Sequence, residues 1–192
     1  MTQKKGMLSG IAVLLGVLML AGLALAMYGC VGGDNIPAGP PSNVDLGPLP
    51  NDPGPAHNVA TLDITTIQGS DTFLRSNPAH VLNMGTPPCP VRLNVSGGFE
   101  YAMYQFSPAG NPLINLMLDF TEAQGLQKTW VAVSDFGTSA WRWYGPYHAG
   151  PIDIPLAGGT WTSATGIMYY AVVMHTGGVL DMKLSQVTVD KP

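Results

Sequence analysis

Hydrophobic and polar positions divide the chain into three stretches of different character. From Met7 to Ala26 the residues are uncharged and strongly apolar, and no comparable run recurs. From Val31 to His57 there is no apolar period at all; seven prolines (Pro37, Pro40, Pro41, Pro48, Pro50, Pro53, Pro55) punctuate the stretch. From Asn58 onward short alternating or fully apolar runs are separated by turn-forming residues, the period of β-strands rather than helices.

Individual strands are legible in that third stretch. Thr61–Ile67 is β-branched and alternates, and Val91–Val95 and Phe99–Phe106 flank Gly97-Gly98 as a hairpin. Between them Asn77 to Pro90 reads as a loop, because Asn77-Pro78 and Thr86-Pro87-Pro88-Cys89-Pro90 oppose regular structure. Leu113–Phe120 sets Ile114, Leu116, Leu118 and Phe120 on one face, with Asn115 and Asp119 on the other. Thr121–Lys128 is the single locally helical stretch, and Gly125 limits it to about one turn. Shorter strands follow at Thr129–Ser134, Ala140–Tyr144 and Ile152–Leu156, with another run beginning at Trp161. Ile167–His175 is apolar on both faces, as a central strand requires. In the final run, Val179–Asp190, Leu180, Met182 and Leu184 share one parity and Val187 and Val189 the other. A one-residue bulge near Ser185 or Gln186 would return all five to the core face.

Roughly nine short strands, frequent turns and no long helix predict an all-β fold, an antiparallel β-sandwich. The domain plan is a leader over 1–30, a disordered Pro/Gly-rich tether over 31–57 and the sandwich over 58–192. The tether would adopt extended polyproline conformation at about 3.1 Å per residue, a reach of roughly 80 Å.

The leader has a physical logic of its own. Lys4 and Lys5 precede the apolar run, which is followed by Met27-Tyr28-Gly29-Cys30. A basic end, an apolar centre and small residues beyond form an export signal. The Gly29-Cys30 ending resembles the bacterial lipobox, which implies diacylation of Cys30 and anchoring on the non-cytoplasmic side of a membrane. Two other exits stay open: cleavage after Ala24-Leu25-Ala26 to give a soluble protein, or retention as an anchor, since about 20 apolar residues can span a bilayer. All three expect an exported domain.

Composition narrows the function classes. Beyond Cys30 the basic residues are Arg75, Arg92, Lys128, Arg142, Lys183 and Lys191, against all twelve acidic ones. No basic run offers phosphate neutralisation, so nucleic acid is excluded as a partner, as is polybasic attraction to anionic lipid. Cys30 and Cys89 are the two cysteines, too few for a structural zinc site. The four histidines are scattered without ligand spacing. Asp135-Phe136-Gly137 matches a kinase string without its accompanying motifs. No nucleophile elbow is present, and Glu100, Glu122 and Asp119 are not placed by sequence as a glycosidase pair. The expectation is therefore a non-enzyme with no catalytic residues.

One constellation stands out. Trp141, Trp143, Tyr144 and Tyr147 lie within a few residues of Arg142, His148 and Asp135. Aromatic faces stack on the C–H faces of sugars, and adjacent polar groups bond hydroxyls. Trp141 and Trp143 share one strand face. Turned inward they are core and leave Arg142 and Tyr144 outside; turned outward they form a binding platform. Trp130 and Trp161 are expected in the core. Calcium is the one candidate cofactor, with Asp135 and Asp153 as its loop carboxylates.

Two further resemblances bear on fold and role. The closing segment LDMKLSQVTVD resembles the final strand of galactose-binding-like jelly rolls, the scaffold of many carbohydrate-binding modules. WVAVSDFGTSAWRW is similar to repeated surface domains of large secreted bacterial proteins. Together they imply a jelly-roll-like sandwich. The leading expectation is an exported, lipid-anchored, non-catalytic envelope protein that displays the sandwich, with an envelope protein or polysaccharide as partner. A carbohydrate-binding module using the 141–147 aromatics is the first alternative, and a small secreted enzyme the second.

Overall fold

Alternating side chains on short strands can bury an apolar face only against a second sheet, and that is the arrangement found. This computed structural model describes residues 37–50, 58–84, 91–122, 128–175 and 177–192. The predicted leader, the lipidation candidate Cys30, and Cys89 lie outside the described residues. Those described form strands β1 (Pro37–Ala38), β2 (Ile64–Thr66), β3 (Thr72–Arg75), β4 (Val81–Asn83), β5 (Val91–Val95) and β6 (Phe99–Phe106). The second half contributes β7 (Leu113–Glu122), β8 (Thr129–Asp135), β9 (Ala140–Tyr147), β10 (Ile152–Pro155), β11 (Met168–His175) and β12 (Gly178–Val189). Sheet one runs β1-β9-β8-β11-β6-β3; sheet two runs β10-β7-β12-β5-β4, with β2 also on β12. Every pairing between these described strands is antiparallel. The expected all-β antiparallel sandwich is thus the fold of the described residues.

The core lies between the sheets. Tyr104, Phe106, Tyr170 and Val172 from sheet one meet Leu116, Phe120, Leu180 and Val187 from sheet two, all fully buried. At its centre the rings of Tyr104 and Tyr170 stack 5.1 Å apart at 16°. β11 is central to sheet one, paired to β6 and β8, which is why Met168 to Met174 is buried on both faces.

Several local expectations change. Part of the loop expected over 77–90 is strand β4, and β3 precedes it where no strand was expected. The helical turn expected over 121–128 gives way to strand at Thr121–Glu122; residues 123–127 lie outside the described residues. Ile114 is not on the core face: it is 41% exposed, and Leu113 is buried instead. A register shift where Thr188 and Val189 face Asn115 and Leu113 reverses the alternation there.

The bulge expected in the last strand exists two residues earlier, between Met182 and Leu184. It buries Leu180, Met182, Val187 and Val189 as expected, but gives the inward position to Ser185 rather than Leu184. The physical reason is a hydrogen bond. The Ser185 hydroxyl sits 2.7 Å from the Tyr170 hydroxyl in a site with no water access, and a leucine there would orphan the phenol. Ser185→Ala should therefore cost about 1–3 kcal/mol of stability in urea denaturation. A loss within a few tenths of a kcal/mol would show that the phenol is satisfied otherwise.

The tether also differs from expectation. Residues 37–50 are not free chain: β1 pairs Pro37 with Tyr144 and Ala38 with Trp143, and Pro41 and Leu49 are buried. This strap belongs to the same unit as the sandwich, Asp34–Pro192.

Candidate functional site

The outward face of sheet one explains how the strap is held. Trp143 lies across from Ala132 on β8, Ala132 from Ala171 on β11, and Ala171 from Met103 on β6. Small residues in that row leave room for the indole. These side chains, with Val173, form a second apolar cluster against which Val44, Leu46, Phe73, Phe99, Trp130 and Trp141 pack. Such a face loses free energy in water at about 25 cal/mol per Å², and the strap's Val44 and Leu46 cover part of it.

The strap is shaped by local bonds. The Val44 N–H donates to the Pro41 carbonyl at 3.3 Å, and the Gly47 N–H donates to Asp45 Oδ1 at 2.7 Å. Gly47 has φ +73°, a conformation glycine adopts without strain. This turn presents its carbonyl to Trp141, whose Nε1–H donates to Gly47 O at 3.0 Å. Between strap and β9 an open groove of about 360 Å³ remains, walled by Asp45, Gly47, Pro48, Ser139, Trp141 and Trp143 among others. Trp143 is 7% exposed; Trp141 is half-buried and keeps accessible surface.

The candidates from sequence separate into three groups. Trp141 and Trp143 face outward and line the groove. Tyr144 and Tyr147 turn inward and join the core. Both can do so, although three residues apart, because a register shift between Thr129 and Val131 inserts an extra residue in β9. Burial, with the neighbouring Tyr144 adding to it, pushes the Tyr147 hydroxyl up to about 12. Burial also raises Tyr144, against the opposing pull of Arg142. His148 is exposed beyond the strand end.

Arg142 belongs to another structure. Its guanidinium lies 3.2 Å from Asp135 Oδ2 and 5.1 Å from the centre of the Trp161 ring. Asp135 Oδ1 accepts from Thr160 Oγ1 at 2.6 Å and from the Gly137 N–H at 3.1 Å. Burial opposes ionisation of Asp135, but the hydrogen bonds from Thr160 and Thr138 and the charge of Arg142 outweigh it, holding the carboxyl below its ordinary range. Its oxygens are thus engaged by protein donors. Asp153, the other calcium candidate, is exposed on β10 of the opposite sheet. The two do not come together, and among the described residues no three His, Cys, Asp or Glu side chains cluster as a metal site.

Glu100 and Asp119, which the sequence left unplaced as a glycosidase pair, likewise sit on different sheets. Glu100 is buried and bonds His80 Nδ1 at 2.6 Å, while the Ser76 hydroxyl donates to its second oxygen. The carboxylate bonds the Ser76 hydroxyl through one oxygen and the His80 ring through the other. The cluster fastens the β3–β4 loop to β6. A further open groove of about 300 Å³ lies at one end of the sandwich, where Asn111, Thr162 and Trp161 meet several glycines.

Sequence reading missed Asp45, Ser139 and the strap. The apolar residues Val44, Leu46 and Leu49 inside a proline-rich stretch are the one signal that could have marked it as docked.

No protein-family model matches this chain, and no curated protein matches it. Solved structures do. The insecticidal crystal protein Cry2Aa aligns at TM-score 0.48 and 14% identity, over 68% of this chain and 22% of its own. The CBM36-1 domain of a xylanase from the hindgut metagenome of Trinervitermes trinervoides aligns at TM-score 0.44 and 13% identity, over 67% of this chain and 99% of its own. CsCBM6-3 from Clostridium stercorarium, solved with cellobiose, gives TM-score 0.41 and 13% identity, over 69% and 97%. Two of these three are carbohydrate-binding modules. The fold is defined by the strand pairing itself.

Proposed function

We propose that this chain is a non-catalytic carbohydrate-binding module, exported and held at a membrane through Cys30, with its ligand in the groove between the strap and β9. The observation that carries the reading is the groove itself. It is an open cleft of about 360 Å³ with two tryptophans in its wall and the Ser139 and Asp45 side chains beside them. Indole faces match the apolar C–H faces of a pyranose, and hydroxyl and carboxylate oxygens accept from its hydroxyls. The volume is that of a small-ligand site. Display is part of the same reading: an acylated Cys30 would anchor the chain at the membrane.

The test is binding of the full chain, purified in detergent, to a panel of oligosaccharides, followed by Trp141→Ala. Trp141 keeps accessible surface and its removal leaves the apolar row around Trp143 in place, so the variant should fold. Affinity is expected to fall about tenfold or more, as for a buried aromatic anchor. Undiminished binding by a folded Trp141→Ala protein would move the site elsewhere, and a parent that binds no saccharide would end the reading.

A further inference from the structure

The charge of the groove is one-sided. Among its lining residues (Pro40, Val44, Leu46, Leu49 and Ala140 complete the set) Asp45 is the one ionisable side chain. Arg142, next in sequence to both tryptophans, points to the other side of β9 and is paired with Asp135. We propose that the groove selects saccharides bearing a free ammonium group and that Asp45 sets this selectivity. The proposal rests on the carbohydrate reading above and names the ligand class of that same site.

Three features support it. The ring face of tryptophan carries negative potential and attracts a cation placed over it, and two such rings line the groove. Asp45 is held where it can act: its Oδ1 is fixed by the Gly47 N–H at 2.7 Å, and that turn is tied to Trp141 through the 3.0 Å bond to Gly47 O. Among the described residues no hydrogen bond engages Oδ2, which can meet a ligand. Finally, the background field has the same sign, since the chain carries a formal charge of −4. An ammonium group gains from ring, carboxylate and background together. A neutral sugar gains only the stacking. A uronate or sulfated sugar places its anion beside Asp45 and over the ring faces, where both repel it. Because Asp45 is exposed, water and salt screen its share, so the preference is moderate and sensitive to ionic strength.

The experiment compares three oligosaccharide series on the full chain in detergent: glucosamine oligomers, their N-acetylated counterparts and uronate oligomers. Ethylammonium and choline serve as ammonium sources without a sugar. At low salt, glucosamine oligomers are expected to bind about fivefold more tightly than N-acetylated ones, with uronates weakest. High salt should shrink that ratio. Asp45→Asn retains an oxygen to accept the Gly47 N–H, so the strap turn survives while the charge goes; the ratio should then approach what the rings alone give. Equal binding of all three series, or a ratio unmoved by both salt and Asp45→Asn, overturns the ammonium proposal and leaves the carbohydrate reading intact. Binding of ethylammonium and choline as tight as that of the glucosamine oligomers supports the ammonium site and sinks the saccharide reading. Binding of none of these ligands overturns both.

Discussion

Above about pH 10 the fold is expected to lose stability steeply, having been almost indifferent to alkali below that point. Tyr104 and Tyr170 are fully buried and stacked at the centre of the sandwich. Burial raises the Tyr104 hydroxyl above its ordinary value of 10.0, against the polar Thr72 side chain and the charge of Arg75. Burial likewise raises Tyr170, with Tyr104 adding to it and the Ser185 bond opposing. In the unfolded chain both titrate near pH 10. Below that pH both states keep their protons and stability does not change. Above it the unfolded chain releases protons the folded core retains, so the unfolded state binds fewer and stability falls as pH rises. Each phenol contributes a slope of about 1.4 kcal/mol per pH unit until its folded value is reached. With two such phenols the slope doubles to about 2.7 kcal/mol per pH unit above pH 10, against a whole stability of about 5–15 kcal/mol for a small domain. Urea midpoints followed by circular dichroism from neutral to strongly alkaline pH, with tyrosinate absorbance in parallel, measure this directly. The two phenols should ionise with unfolding and not before it. A flat stability profile, or ionisation of both while the sheets persist, would contradict the buried pair.

Trp161→Ala should be among the most damaging single substitutions. Trp161 is 4% exposed and belongs to the inter-sheet core. Its Nε1–H donates to the Leu156 carbonyl, and its own carbonyl accepts from Ser134 Oγ at 2.7 Å, which in turn accepts from the Tyr169 N–H at 3.0 Å. Gly159 packs so closely on the indole that a Cβ there would overlap it, which shows the loop 156–166 is built around this ring. Truncation removes the ring, leaves a cavity and strips Arg142 of its partner face, a cost of about 3–5 kcal/mol. Thermal unfolding should shift down by on the order of 10 °C. A shift of a degree or two would mean the loop collapses onto the space and that the ring is not a keystone. Trp161 is not among the residues that line the groove at Trp141, so saccharide affinity of the folded fraction should not change.

The comparison of Trp161 with Trp141 and Trp143 shows how far sequence could reach. Trp161 was expected in the core and lies there, whereas Trp130, expected there too, is partly buried against the outward cluster of sheet one. For the pair in β9, parity guaranteed that they share a face but not which face. The answer came from neighbours distant in sequence: Ala132 and Ala171 make an outward hollow for Trp143, while Tyr144 takes the inward side. The same limit explains Tyr147, whose inward turn depends on a register shift against β8.

The sequence by itself determined the all-β character, the antiparallel alternation, most strand positions and the acidic balance of charge. Those features follow from local rules: strand period, turn chemistry and charge count, each readable within a few residues. Only the tertiary structure decided where the bulge of the last strand falls, that the proline-rich segment 37–50 docks as a strap, and that Asp45 meets two tryptophans nearly a hundred positions away. These depend on which surfaces come to face each other. Burying a phenol beside a serine, or an apolar row beneath a strap, is a free-energy gain between residues far apart in the chain, and no local pattern records it.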